Sequence, residues 1–162
     1  MLHISPDARV SPLADIEESV NGTLIKIGPG CRIDAFVKLK PAGGNGDVVI
    51  CADSYINSGT VIYTGNGVHI GSNVLIAANC TLSPANHAYQ QRNKLIVEQR
   101  FMPSRGGIII EDDVWVGCNS VILDGAILRR GCVVAAGSVV RSELPEYSIC
   151  AGNPAVVKGY RK

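Results

Sequence analysis

The 162-residue sequence predicts an all-β chain wound into a triangular prism of short parallel strands. Three observations predict it: a six-residue period in the apolar residues, the regular placement of the points where that period breaks, and a composition of many turn formers with few aromatics. From Ile110 the sequence divides into IEDDVW, VGCNSV, ILDGAI, LRRGCV, VAAGSV and VRSELP, each with an aliphatic residue first and a small or apolar residue fifth. A helix repeats about every 3.6 residues and a half-buried strand every second residue, so a period of six excludes an ordinary amphipathic helix. The composition agrees, with 18 glycines, 46% hydrophobic residues and 5% aromatics, as many short strands joined by tight turns require.

Read backward, the frame continues through hexads beginning at 70, 76 and 82, at 50, 56 and 62, at 27, 33 and 39, and at 4, 10 and 16. Every first position is Ile, Val or Leu, and the fifth positions are small or β-branched except at Asn66, Asn86 and Leu144. The frame breaks after residues 21, 44, 67 and 87, each time behind a set of three hexads, and the last six hexads run on without a break. Three hexads therefore make one coil, and all additional residues leave from one edge. Coils stacked at about 4.8 Å per layer give a six-coil prism, with first positions filling the interior and fifth positions crowded inside the corners. Cys31, Cys80 and Cys132 occupy fifth positions and read as small core residues rather than nucleophiles.

Length and charge narrow the function. A chain of this size makes one domain, expected over 1–162. Fifteen basic residues against 14 acidic ones give no sign of a nucleic-acid partner. No apolar run approaches the roughly 20 residues that span a bilayer, and the start, MLHISPDARV, lacks the basic patch and apolar core of a signal peptide, so a cytoplasmic location is expected. The six cysteines lie far apart without zinc-ligand spacing, and no metal is expected.

The four breaks span 22–26, 45–49, 68–69 and 88–109. Only the last is long enough to demand a role, because structureless segments of that length are uncommon in compact domains. It mixes Tyr89, Glu98 and Phe101 with Leu95, Ile96 and Val97, and is expected to pack against a neighbouring subunit and to cover a small polar substrate. His87 ends the coil from which this segment departs. An imidazole can take a proton from a hydroxyl or amine as it attacks a carbonyl, and backbone N–H groups at the corners can meet the oxyanion that forms on that carbonyl. His69 immediately precedes the same coil, one turn away in sequence, and is expected near the same edge, beside substrate. Glu98 reads either as a solvated charge or as a substrate contact from the segment.

The repeat resembles that of the hexapeptide-repeat acyltransferases, which implies a left-handed parallel β-helix; the handedness comes from the resemblance. Asn86–His87 at the root of a long segment is similar to the site of galactoside, maltose and xenobiotic acetyltransferases, which implies that His87 is the general base and Asn86 an orienting or substrate-contacting residue; Tyr89, Glu98 and His69 are candidate acceptor contacts by their positions in the sequence. The C-terminal run, with VWVG, AGS and AGNP, resembles the donor side of the sugar O- and N-acetyltransferases. It implies acetyl-CoA as donor, with Trp115 as an anchor on the prism face, Gly117, Cys118, Ala135 and Ala136 beside the pantetheine, and Arg141 and Lys158 at the phosphates, joined by Arg161. Relatives carry Thr-Lys after the AGS turn where this chain has Val140, Arg141 and Ser142, which shifts that phosphate contact by one residue. The γ-class carbonic anhydrases share the repeat, but they need three histidine ligands including an HxxxxH pair, and this chain has only His3, His69 and His87.

Residues 146–162 are expected to fold back as a cap over the last coil, shielding open strand edges. The resulting expectation is a cytoplasmic homotrimer with sites between subunits, transferring acetyl directly to a hydroxyl or amine of a sugar or nucleotide-sugar. Rival readings are a small non-sugar acceptor such as an antibiotic or serine, and a non-catalytic scaffold.

Overall fold

The structure, a computed structural model, describes residues 1–19, 21–42 and 44–162. Three sheets form three faces of a prism. The first face holds seven strands from Leu2–Ile4 to Glu143–Leu144, the second eight from Arg9–Val10 to Ala155–Tyr160, and the third six from Asp15–Ile16 to Val139–Val140. As far as Ser148–Gly152 consecutive strands of the chain belong to consecutive faces, and every pairing in these sheets is parallel except the last on the second face.

The first hexad positions stack in three columns. Ile4, Ile27, Ile50, Ile70, Ile110 and Leu128 lie in register on the first face. Val10, Ile33, Ile56, Ile76, Val116 and Val134 do so on the second, and Ile16, Leu39, Ile62, Leu82, Ile122 and Val140 on the third. From the second coil onward all of these are buried, each contributing roughly 1.5–3 kcal/mol by removing its side chain from water. The first coil has a neighbour on one side only, and Ile4 stays 40% exposed.

The corners explain the small fifth positions. Ser54 Oγ donates to Gly71 O at 2.8 Å and accepts the Val74 N–H at 3.0 Å. Thr60 Oγ1 likewise joins Ala77 O and the Cys80 N–H of the next coil. Cys31, Cys80 and Cys132 are fully buried, and burial pushes all three thiols up, that of Cys132 to about 11. They are core residues, without the thiolate a nucleophile needs. The fifth positions Val20 and Gly43 lie outside the described residues.

The C-terminus departs from a six-coil count. Leu144 takes the seat below Leu128 and Cys150 the seat below Val134, so a seventh coil starts only four residues after Val140. The shortened step explains why the frame is lost near Pro145. Ser148–Gly152 then turns back into Ala155–Tyr160, the antiparallel strand on the second face, which covers an edge that would otherwise offer unpaired backbone groups.

Candidate functional site

The corner between the third and first faces carries every long connection. At the fourth coil the chain follows its predecessor as far as Pro84, whose carbonyl accepts the Asn66 N–H at 3.1 Å, and then leaves. The segment closes on itself immediately. Ala88 N–H donates to Arg100 O at 3.0 Å and Met102 N–H to Asn86 O at 2.8 Å, which sets His87 opposite Phe101 as an antiparallel bridge. The two rings stack with centroids 4.6 Å apart and planes inclined by 28°.

Arg100 O also lies 3.1 Å from His87 Nδ1. A carbonyl oxygen can only accept, so in the neutral ring the proton sits on Nδ1 and the lone pair is on Nε2. One carbonyl thereby ties the segment's return to both the backbone after the histidine and the tautomer of its ring. Beyond the bridge, Gln99 staples the turn: its Oε1 accepts the Gln91 N–H at 3.0 Å and its Nε2 donates to Gln91 O and Lys94 O. The short helix Ile96–Gln99 buries none of its residues, and Leu95, Ile96 and Val97 are 67%, 57% and 75% exposed.

The return strand is anchored from below. Asp124, 2% exposed, sits inside the corner and accepts the Arg105 N–H at 2.8 Å on Oδ2 and the Gly107 N–H at 2.9 Å on Oδ1. This places Arg105 over Gly125, whose φ of +82° and closeness to the Arg105 side chain suit only a residue without a Cβ. Arg105 Nη2 donates to Arg141 O at 3.2 Å. Between the segment and the prism lies a cavity of about 500 Å³, lined by Asn86, His87, Tyr89, Met102, Arg105, Leu123 and Arg141. A smaller one of about 240 Å³ lies against Phe101 and Tyr63 and also touches His87. The arrangement gathers an imidazole, a side-chain amide and two arginines around a space for one small polar molecule.

Asn86, His87, Tyr89 and Arg141 therefore come together. The other expected residues do not join them within one chain. His69 stands in the middle of Val68–Ile70 on the outside of the first face, 3.8 Å from Cys51 Sγ, and lines a different cavity with Glu111 and Arg130. The expectation that it shares the edge of His87 fails because the connection between the third and first faces has moved the chain round the corner before residue 68. Glu98 lies on the exposed helix and lines neither cavity of His87. Gly117, Cys118, Ala135 and Ala136 stack at the corner between the second and third faces, with Gly117 against Ala136 and the Gly137 N–H on Cys118 O at 2.8 Å. Trp115, 52% exposed, stands on the outer second face between Leu75 and Val133. Lys158 is on the capping strand, and Arg161 is engaged by Asp113 at 2.8 Å. Arg141, expected at the phosphates of the donor, stands at the corner of His87, one face away from the small corner residues.

Arg105 and Asp124 are site residues that the repeat does not reveal. Their one trace in the sequence is a polar pair, Ser104-Arg105, and an Asp-Gly step at 124–125, both falling where the frame places the edge of the breaks. Among the described residues no helix is long and apolar enough to cross a membrane, and no three His, Cys, Asp or Glu side chains gather as a metal site would require.

Comparison with known proteins places this arrangement. Residues 107–142 match the family model "Bacterial transferase hexapeptide (six repeats)", and residues 47–84 match "Hexapeptide repeat of succinyl-transferase". WbbJ of Escherichia coli (strain K12), named as a lipopolysaccharide biosynthesis O-acetyl transferase, is 31% identical over 82% of this chain and 67% of its own length. Among solved structures, a single-site mutant of AntD, an N-acyltransferase from Bacillus cereus, in complex with dTDP-4-amino-4,6-dideoxyglucose and coenzyme A, superposes with a TM-score of 0.81 at 25% identity, over 99% of this chain and 84% of that one. The acetyltransferase VCA0836 from Vibrio cholerae, complexed with acetyl coenzyme A, gives 0.64 at 27% identity over 100% and 70%. With the left-handed parallel β-helix, the repeat and these relatives in agreement, the chain belongs to the hexapeptide-repeat family of acyl-CoA-dependent acetyltransferases.

Proposed function

We propose that the protein transfers an acetyl group from acetyl-CoA to a hydroxyl or amine of a sugar or nucleotide-sugar, with His87 as general base. The observation that carries the reading is the hydrogen bond from His87 Nδ1 to Arg100 O, which leaves the Nε2 lone pair for the acceptor in a cavity large enough to hold a sugar. Nε2 takes the proton as the acceptor oxygen or nitrogen attacks the thioester carbonyl. The tetrahedral intermediate then expels the CoA sulfur, and the imidazolium returns the proton to it. Asn86, one residue away and lining the same cavity, orients the acceptor. Transfer is direct, because the cysteine nearest in sequence, Cys80, is buried with its thiol pushed up. WbbJ and AntD support a sugar-linked acceptor through the substrates their names carry.

The small residues of the donor groove and His87 lie at opposite edges of the third face, so one chain does not bring donor and base together. A homotrimer in the cytoplasm, where acetyl-CoA is made and used, unites the donor corner of one prism with the His87 corner of the next. The exposed apolar tip at Leu95–Val97 and the ridge of Leu75, Trp115 and Ile149 on the second face are the surfaces such packing would cover. His87→Ala should lower turnover by about 10²- to 10⁴-fold while calorimetry still records acetyl-CoA binding. Full activity in that variant on the acceptor of the wild type removes the assignment of the base.

A further inference from the structure

The cavity beside His87 is unusual in its charge. Arg105 and Arg141 line it together with His87, and among the described residues no aspartate or glutamate does. Neither arginine has an ion-pair partner among the described residues, whereas Lys40, Arg129 and Arg161 are all paired with carboxylates. The acid beneath the corner, Asp124, is buried with both oxygens on backbone N–H groups. Arg105 is also held in place: its backbone is tied to Asp124, its side chain lies across Gly125, and one nitrogen is given to Arg141 O. A guanidinium whose position is set before binding presents its remaining donors as a planar fork, the geometry that matches a phosphate.

We infer that Arg105 and Arg141 form an anion subsite beside His87 that binds a phosphate carried by the acceptor, so that the preferred acceptors are phosphate-bearing sugars rather than free ones. This rests on the acetyltransferase reading given above. The donor also carries phosphates, but the geometry of the reaction separates the two sources. The thioester must reach His87 Nε2, and the pantetheine arm, two amide units long, then holds the CoA phosphates outside a cavity of about 500 Å³. The acceptor has no such spacer, and its phosphate lies next to the sugar that reacts.

Two measurements test the subsite. In the first, acetyl transfer is followed with matched acceptors, a free amino sugar, its 1-phosphate and its dTDP derivative, for the wild type, Arg105→Gln and Arg105→Lys, with acetyl-CoA affinity measured alongside. The wild type should favour the phosphate-bearing members in kcat/KM, and Arg105→Gln should reduce that preference by about 10- to 100-fold, the value of one or two charge-assisted hydrogen bonds. Arg105→Lys should keep part of it, and acetyl-CoA affinity should stay within about twofold across the series. An unchanged preference in Arg105→Gln, or a loss of acetyl-CoA affinity equal to the loss for the acceptor, overturns the inference, the latter by giving the subsite to the donor of a neighbouring copy. In the second, inorganic pyrophosphate is added during thermal unfolding: it should stabilise the wild type and not the Arg105→Gln, Arg141→Gln double variant, and equal effects or none overturn the inference. Failure of the acetyltransferase reading looks different, since the wild type would then bind no acetyl-CoA while the pyrophosphate response still depends on the two arginines.

Discussion

The prism and the segment from Asn86 to Gly107 are held together by different means. In the prism, side chains of the same type repeat every coil, the columns of Ile, Val and Leu are buried from the second coil onward, and corner hydroxyls such as those of Ser54 and Thr60 are paired with the next coil. In the segment, nothing on the helix is buried, and the fold is kept by a few single contacts: Arg100 O on two donors, Gln99 across the turn, Asp124 under the return. Many equivalent interactions make a scaffold that tolerates the loss of none of its volume but is indifferent to chemistry. A few unlike interactions make a place where one histidine can be oriented, at little cost to the whole.

The largest effect that follows from this contrast is on stability. Ile62, fully buried between Leu39 and Leu82 on the third face, should cost about 2–5 kcal/mol when changed to Ala, because the rigid ladder cannot collapse into the space. Chemical denaturation should show this as a lower midpoint. Phe101→Ala divides the two regions in the opposite sense. It removes the ring stacked on His87 from an exposed position, so the melting temperature should barely move while kcat falls about tenfold through loss of orientation. A large drop in stability with kcat intact would mean that the segment belongs to the scaffold after all.

The same contrast explains what can be read from the sequence. The prism is legible because its physics is periodic: a column of buried aliphatics must recur at the coil length, and the places where it fails, after 21, 44, 67 and 87, mark one edge. His87 is legible first for that reason, as the last residue before the longest break. Arg105 and Asp124 are not, because their pairing joins residues of two different coils through a contact that occurs once. His69 is misplaced by the frame because coil count locates a residue along the prism but not which side of a corner its chain has reached. The seventh coil escapes the frame because the step from Val140 to Leu144 breaks the period without ending the fold.

A smaller effect concerns the tip. In the proposed trimer Val97, 75% exposed in one chain, should matter only to assembly. Val97→Ser together with Ile96→Ser should leave unfolding of the prism unchanged and weaken subunit association by about 1–3 kcal/mol, seen as dissociation at low concentration in sedimentation. If the pair leaves the oligomer and its activity untouched, the tip serves some purpose other than packing on a neighbouring prism.

The smallest effect compares two sets of thiols. Cys118 is exposed at the corner between the second and third faces, while Cys31, Cys80 and Cys132 are buried and pushed up in pKa. At about pH 8 a thiol reagent should label Cys118 within minutes and reach the buried three only on unfolding, since both access and thiolate content govern the rate. Acetyl-CoA should slow the labelling of Cys118 by a few fold if the pantetheine runs past Gly117 and Ala136, and should leave the buried thiols unaffected. Labelling of Cys118 that ignores saturating acetyl-CoA would move the donor off that corner. The protection of the core thiols would still be explained, because they are buried by the repeat itself and owe nothing to the donor.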